Sequence, residues 1–305
     1  MSQIALIIIY NHRYDKNIPL LEEMYRNRFD NIYHIIPFYD GDKENVIPVY
    51  ENSHRFSGYI AQTWQTIKDK GFSHFLFVAD DLLLNPSVNQ DNLFEKLGIS
   101  ETDCFIPELV EFAKLKKYWS RTPDACYYTW NKIGAEVGAI LPDAETAKRK
   151  LNKHGISKFS ISAKQFLSAF FATRAYYYPL AQTVGAMKKF LKNPFGRYHL
   201  YYPMVGGYSD TFLITADVMP QFVQYCGTFA ATNLFVEVAI PTALALAADS
   251  IKTHEQTLLQ GIFYADELEA ITDKFDCDLN KLTDGFPEGY FYLHPIKLSK
   301  WQKKQ

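Results

Sequence analysis

The stretch Phe75-Leu-Phe-Val-Ala-Asp-Asp-Leu-Leu-Leu-Asn-Pro86 decides how this chain is read. Phe75 to Val78 is a short, β-prone apolar run of the kind that forms a buried strand. Two adjacent carboxylates, Asp80 and Asp81, close it. Burying even one unpaired carboxylate is costly, so a pair at a strand end asks for a cation or a place on a rim. In open α/β sheets, ligands gather outside the carboxyl ends of strands. The pair therefore reads as a seat for a divalent cation and a phosphorylated ligand. The plainer alternative is that two acids end a strand and open the turn at Asn85-Pro86.

Upstream, Ile4-Ala-Leu-Ile-Ile-Ile9 is apolar throughout and predicts a strand buried on both faces. Polar Tyr10 to Asp15 breaks it. Ile18 to Phe29 has helical spacing, with Pro19 in the first turn. Asn31 to Pro37 predicts a second strand, ended by the turn Phe38-Tyr-Asp-Gly41. Ile47 to Tyr50 predicts a third, and Gly58 to Lys70 another helix. This β-α-β-β-α-β order implies an α/β fold, with a mainly parallel sheet flanked by helices.

Downstream of Pro86 the pattern loosens. Asn92 to Leu97 predicts a short helix, and Ala139-Ile-Leu-Pro142 the end of a strand. Asp143 to Lys192 is helical in pattern. Tyr201 to Thr215 returns to strand character, bent at its glycines. Asp217 is placed to cap a helix that Gly227 would stop. Leu234 to Ala248 is apolar on all sides, hence a buried helix, kinked or restarted at Pro241. Phe263–Ala265 and Tyr290–Pro295 supply late strands.

With 305 residues, 48% of them hydrophobic, the chain affords a large core and is not globally disordered. A net charge of −2 argues against a nucleic-acid binder. The charge is uneven: residues 151–200 hold eight Lys or Arg and no Asp or Glu. Mixed with Tyr and Phe, these cations suit an anionic acceptor or peripheral contact with a membrane. The alternative is a solvated face paired with acids elsewhere. Cys104, Cys126, Cys226 and Cys277 are too scattered for a zinc knuckle or redox motif. No signal segment and no membrane span is read, so the expected location is cytoplasmic, with any membrane contact peripheral at the inner face. P-loop, dinucleotide, nucleophile-elbow and HExxH signatures do not occur.

The N-terminal strand, the Tyr39-Asp-Gly41 turn, the Ser57-Gly58 loop and the strand ending Ala79-Asp-Asp81 together resemble the nucleotide-sugar glycosyltransferases of the GT-A fold. The resemblance covers about residues 1–125 and 200–297. It implies a GT-A-like α/β fold with a helical insertion: 1–142 as the nucleotide-sugar-binding half, 143–200 as a basic helical insertion, and 201–305 as the acceptor half and tail. In that family a DxD-type motif holds Mn²⁺ or Mg²⁺ and, through it, the donor diphosphate. Here Asp81 and Asp80 match the motif, while Ala79 stands where an acid is usual.

The resemblance also implies roles for later residues. His294, in Tyr292-Leu-His-Pro-Ile-Lys297, matches a late metal or diphosphate ligand, and Lys297 a phosphate contact. Glu237 resembles the base that deprotonates the acceptor, and burial would lift its pKa toward a useful range. Asp210 is a rival base or an acceptor-holding acid. Tyr10, Asn11, Asp40, Arg55 and Gly58 are candidates for the nucleotide. The expected activity is transfer of a sugar from a nucleoside-diphosphate donor to a glycan or lipid-linked, anionic acceptor. Two rivals stand beside it. One is a non-catalytic sugar- or nucleotide-binding protein on the same scaffold, which Ala79 would suit. The other is a nucleotidyltransferase, which usually wants a glycine-rich loop that is not found after Ile9.

Overall fold

The computed structural model describes residues 3–114, 122–128, 135–166, 187–188, 190–262 and 265–301. Twelve strands occur among them. The first six are β1 (Ile4–Ile9), β2 (Asn31–Pro37), β3 (Val46–Val49), β4 (His74–Ala79), β5 (Leu83–Leu84) and β6 (Cys104–Phe105). The others are β7 (Ser160–Ser162), β8 (Arg197–His199), β9 (Thr211–Thr215), β10 (Ile251–Lys252), β11 (Gln260–Ile262) and β12 (Tyr290–Leu293).

Seven of these form one sheet in the order β10-β6-β9-β4-β1-β2-β3. All neighbours are parallel except at β9, which runs antiparallel to both β4 and β6. The carboxyl ends of β4, β1 and β6 therefore share an edge with the start of β9. A smaller sheet, β11-β12-β5, is formed around the chain that leaves β4. The α/β class and the mainly parallel sheet flanked by helices are as the alternation of patterns predicts.

Strand periodicity splits the core into two layers. Ala5, Ile7 and Ile9 face one side, with Phe75 and Phe77. Ile4, Leu6 and Ile8 face the other, with Leu76 and Val78. The first layer packs against the helices Ser57–Ile67, Met219–Ala231 and Val236–Ala247, the second against Ile18–Tyr25 and Leu93–Leu97. Phe77 stacks on Phe212 of β9 at 4.6 Å, tying the antiparallel strand into the sheet centre. Truncating such a ring to Ala costs about 3–5 kcal/mol.

Several local expectations are corrected. Residues Ala135–Ile140 are a helix, so the short apolar run at 139–141 is not a strand. Gly227 does not stop its helix, which runs Met219–Ala231; a Cβ there would lie 3.3 Å from Ala61, so the glycine permits close helix packing. The late strand is Gln260–Ile262 rather than 263–265, of which 263–264 lie outside the described residues.

Pro241 does not restart its helix, which is continuous through it. It sits inside Val236–Ala247, four residues after Glu237. Lacking an N–H, it cannot satisfy the Glu237 carbonyl. Gly207 N donates to that oxygen instead, at 3.0 Å. A Cβ on Gly207 would come within 2.2 Å of Glu108 O and 3.3 Å of Pro241 Cγ, so only glycine makes the approach. The proline thus anchors the segment leading into β9.

In 143–200, helix Ala144–Lys153 is capped by Asp143 and tied down by Lys150 Nζ donating to Leu246 O. The pairing of β7 with β8 makes the segment leave and return at one place, and places a strand where helix is expected. Its apolar stripe at Phe166–Phe171 lies outside the described residues apart from Phe166, as do two of its eight basic residues, Arg174 and Lys189. Among the described residues no helix is long and apolar enough to cross a membrane.

Candidate active site

Sheet geometry brings Asp80, Asp81, Asp210 and His294 together. Asp80 N donates to Ile9 O at 2.9 Å, extending the β1–β4 ladder by one residue. On the other flank, Ala79 N donates to Asp210 O at 2.7 Å. Asp210 is the last residue before β9, so the antiparallel strand delivers it to the edge where β4 ends.

The tail arrives through the second sheet. β12 pairs antiparallel with β5, Leu293 opposite Leu83 and Tyr292 opposite Leu84. The next residue, His294, is thereby carried back toward Asp81. Its Nε2 lies 3.2 Å from Asp81 Oδ1, and Ile296 N donates to Asp81 O at 2.6 Å. Residues 213 positions apart in sequence thus meet side chain to side chain.

A cleft of about 290 Å³ opens in front of Asp80 and Asp81, with His294 and Asp210 next to them. Asn11, His12, Tyr14, Lys16 and Asn17 of the β1 loop form one wall, and Lys297, Leu298 and Ser299 the other. Asn17 Nδ2 reaches Asp80 Oδ2 at 3.4 Å. Among the described residues, neither Lys16 nor Lys297 is paired with an acid. Two free cations therefore face two crowded carboxylates.

Burial pushes the Asp80 carboxyl up to about 7, with the Asp81 charge adding to it and Asn17 pulling the other way. Burial likewise raises Asp210, opposed by His294 and reinforced by Asp81. For His294 burial acts downward, but its hydrogen bond to Asp81 and the charges of Asp210, Asp81 and Asp80 together raise it. His294 Nδ1 is buried without a hydrogen-bond partner among the described residues. Tyr208 packs its ring edge-on to His294 at 5.6 Å and stacks on Tyr292 at 6.0 Å, fixing the imidazole plane. Among the described residues, no three His, Cys, Asp or Glu side chains stand in a ready metal-holding group. The donor types are nevertheless those a divalent cation uses: carboxylate oxygens and an imidazole nitrogen.

Other sequence candidates lie apart. Tyr10 is wholly buried, its phenol 2.9 Å from His34 Nδ1, so its side chain faces the core and only its neighbour Asn11 reaches the cleft. Asp40 is exposed and pairs with Arg13. Gly58 is packed 3.0 Å (as a built Cβ) from Ala230, in the layer opposite the cleft, with Arg55 in the short turn before it. Glu237 lies half-buried in the first turn of its helix, tied through its carbonyl to Gly207, three residues before Asp210.

Sequence reasoning missed Lys16, Asn17, Ser299, the Tyr208–Tyr292 stack and Glu108. Asn17 had one signal, a polar residue just before the Pro19 helix start on the first β-α loop. Burial raises the Glu108 carboxyl, against the pull of the Tyr208 backbone.

No model of a known protein family matches the sequence, and a search of curated proteins finds no match.

Proposed function

We propose that this chain is a glycosyltransferase of GT-A-like architecture, moving a sugar from a nucleoside-diphosphate donor to an acceptor hydroxyl with help from a divalent cation. The observation that carries the reading is the imidazole of the tail resting on the strand-end carboxylate, over a cleft with two unpaired lysines.

Asp81, Asp80 and His294 are the groups that would hold Mn²⁺ or Mg²⁺. Such a cation neutralises charge that builds on the departing diphosphate. Lys297 and Lys16 offer further positive charge to phosphate oxygens from the two walls. Asn11 and Asn17 present amides at the end of β1. Asp210, half-buried and with its proton affinity raised by burial, is suited to take the acceptor proton at its carboxylate. Glu237 is the alternative base. The β5–β12 pairing makes the tail a wall of the cleft, so donor binding and tail position are coupled.

A binding protein without transfer is the second reading. It is favoured by Ala79 and by the mutual contact of His294 and Asp81, which already satisfies part of each group. The two readings part in one assay. A panel of nucleotide-sugars is incubated with the protein and Mn²⁺, and release of nucleoside diphosphate is followed by chromatography. Transfer predicts release from at least one donor, lost in Asp210→Asn or Glu237→Gln while donor binding persists. Binding of a donor with no release in any acceptor mixture would favour the second reading.

A further inference from the structure

A second cleft, about 720 Å³, opens on the same edge of the sheet. That volume lies within the roughly 300–1,000 Å³ of small-molecule sites. It is built on residues that follow β6 and β10, among them Glu108 and His254. β4 and β6 flank β9 and run the same way, so their carboxyl ends share the edge where β9 begins. Asp210 accordingly stands between the two clefts. The stacked rings of Tyr208 and Tyr292 link the surroundings of the two clefts. Tyr208 meets His294 on one side, and Tyr292 Oη lies 3.3 Å from His254 Nε2 on the other.

This second cleft is lined by one lysine, Lys153, and by three carboxylates, Glu108, Asp249 and Glu255. Lys153 Nζ donates to Asp249 Oδ1 at 2.8 Å. His154 Nε2 is bonded to Ala248 O at 3.0 Å, and His254 Nδ1 to Thr257 Oγ1 at 3.2 Å. Burial holds both imidazoles below their usual range, so both are neutral near pH 7. Among its described lining residues the single lysine already has an acidic neighbour and the carboxylates outnumber it, which disfavours an anion. Neutral groups remain. Gln256 uses its carbonyl oxygen on Thr253 N at 3.1 Å, leaving its amide N–H. Gln260 donates to His254 O at 2.8 Å, leaving its carbonyl oxygen. Leu109, Val110 and Ile251 add small apolar surface beside them.

We infer that this cleft is the acceptor subsite and takes an uncharged, polyhydroxylated ligand, a neutral sugar. The word acceptor rests on the transferase reading; the ligand class rests on the cleft alone. Neutral amides matched to hydroxyls, with apolar patches for C–H faces, recognise such a ligand, and the want of a free cation disfavours carboxylates and phosphates. A neutral acceptor departs from the anionic one that the basic segment suggests.

Saturation-transfer NMR on the full chain tests this. The probes are glucose, galactose, mannose, lactose and maltose, against glucuronate and N-acetylneuraminate. At least one neutral sugar should give transfer and the acidic sugars none. Gln260→Trp, filling the cleft from an exposed position, should cut the signal at least fivefold, and Gln256→Ala should weaken it. Equal transfer from the acidic sugars, a neutral signal indifferent to both cleft variants, or no signal from any sugar would overturn the assignment. Sugar binding that persists while every nucleotide-sugar fails to bind would sink the transferase reading and keep the cleft's ligand class.

Discussion

Two clefts share one edge of the sheet, and they treat charge in opposite ways. The smaller holds Asp80, Asp81 and Asp210 close together, raises two of them by burial, and leaves Lys16 and Lys297 without acidic partners. The larger spreads its carboxylates Glu108, Asp249 and Glu255 around one lysine, which lies against Asp249, and keeps its imidazoles engaged and neutral. Crowded, partly unsatisfied charge lowers the stability of the empty protein. A fold retains it where a ligand repays the loss. The comparison therefore separates a site built for an ionic ligand from one built for a neutral ligand.

The largest effect that would break this contrast is on turnover. Asp81→Asn should lower release of nucleoside diphosphate by about 10²–10³-fold, the range for losing one key electrostatic group. It should leave far-ultraviolet circular dichroism unchanged. Activity within a few-fold of wild type would remove the smaller cleft from the chemistry.

Next comes a stability gain. Asp80 has a folded pKa of about 7, above its ordinary 3.8. A raised carboxyl favours the fold below the unfolded pKa, and that contribution is lost as pH rises from about 4 through 7. Asp80→Asn should therefore stabilise the metal-free protein at pH 8 by on the order of 2–4 kcal/mol, and far less at pH 4. Urea melts in the presence of a chelator measure this. Equal stability of the two proteins at pH 8 would contradict the crowding.

A third effect concerns acid. Burial holds His254 down to about 4, and likewise His34 within β2. The unfolded chain binds protons that these imidazoles refuse in the fold, so stability is full above about 6.5 and falls as pH drops toward 4. His254→Gln should flatten part of that slope. An unchanged slope would mean His254 is charged in its cleft. The smallest expected effect is at Lys153–Asp249, where both groups are largely exposed. Lys153→Ala should not move the melting temperature measurably, and a clear drop would show that the larger cleft is stapled by that pair.

Much of the sheet was legible because its strands are continuous apolar runs. Ile4–Ile9 and Asn31–Pro37 fall where their patterns place them. The run at 139–141 failed because a few apolar residues do not distinguish strand from buried helix. Gly227 and Pro241 misled as local punctuation. One is a contact point between helices, and the other is absorbed by a hydrogen bond from Gly207 to the Glu237 carbonyl, two residues 30 positions apart in sequence. At the site, two acids after a strand were readable locally. The meeting of His294 with Asp81 was expected only through resemblance, since it depends on β5 pairing with β12. The second cleft was not readable, because it is assembled from the ends of β6 and β10 together with Lys153, His154 and Gln260 from distant segments.

The central claim is that Asp81, Asp80 and His294 hold a cation against a diphosphate, whatever base or sugar is attached. Inorganic pyrophosphate with Mn²⁺ isolates that chemistry. The account predicts that the two together raise the melting temperature of the wild-type chain by several degrees through mass action. It predicts that neither alone does so to the same extent, and that Asp81→Asn removes the joint effect. A joint shift of the same size in Asp81→Asn, or no shift in the wild type at saturating concentrations of both, would contradict it.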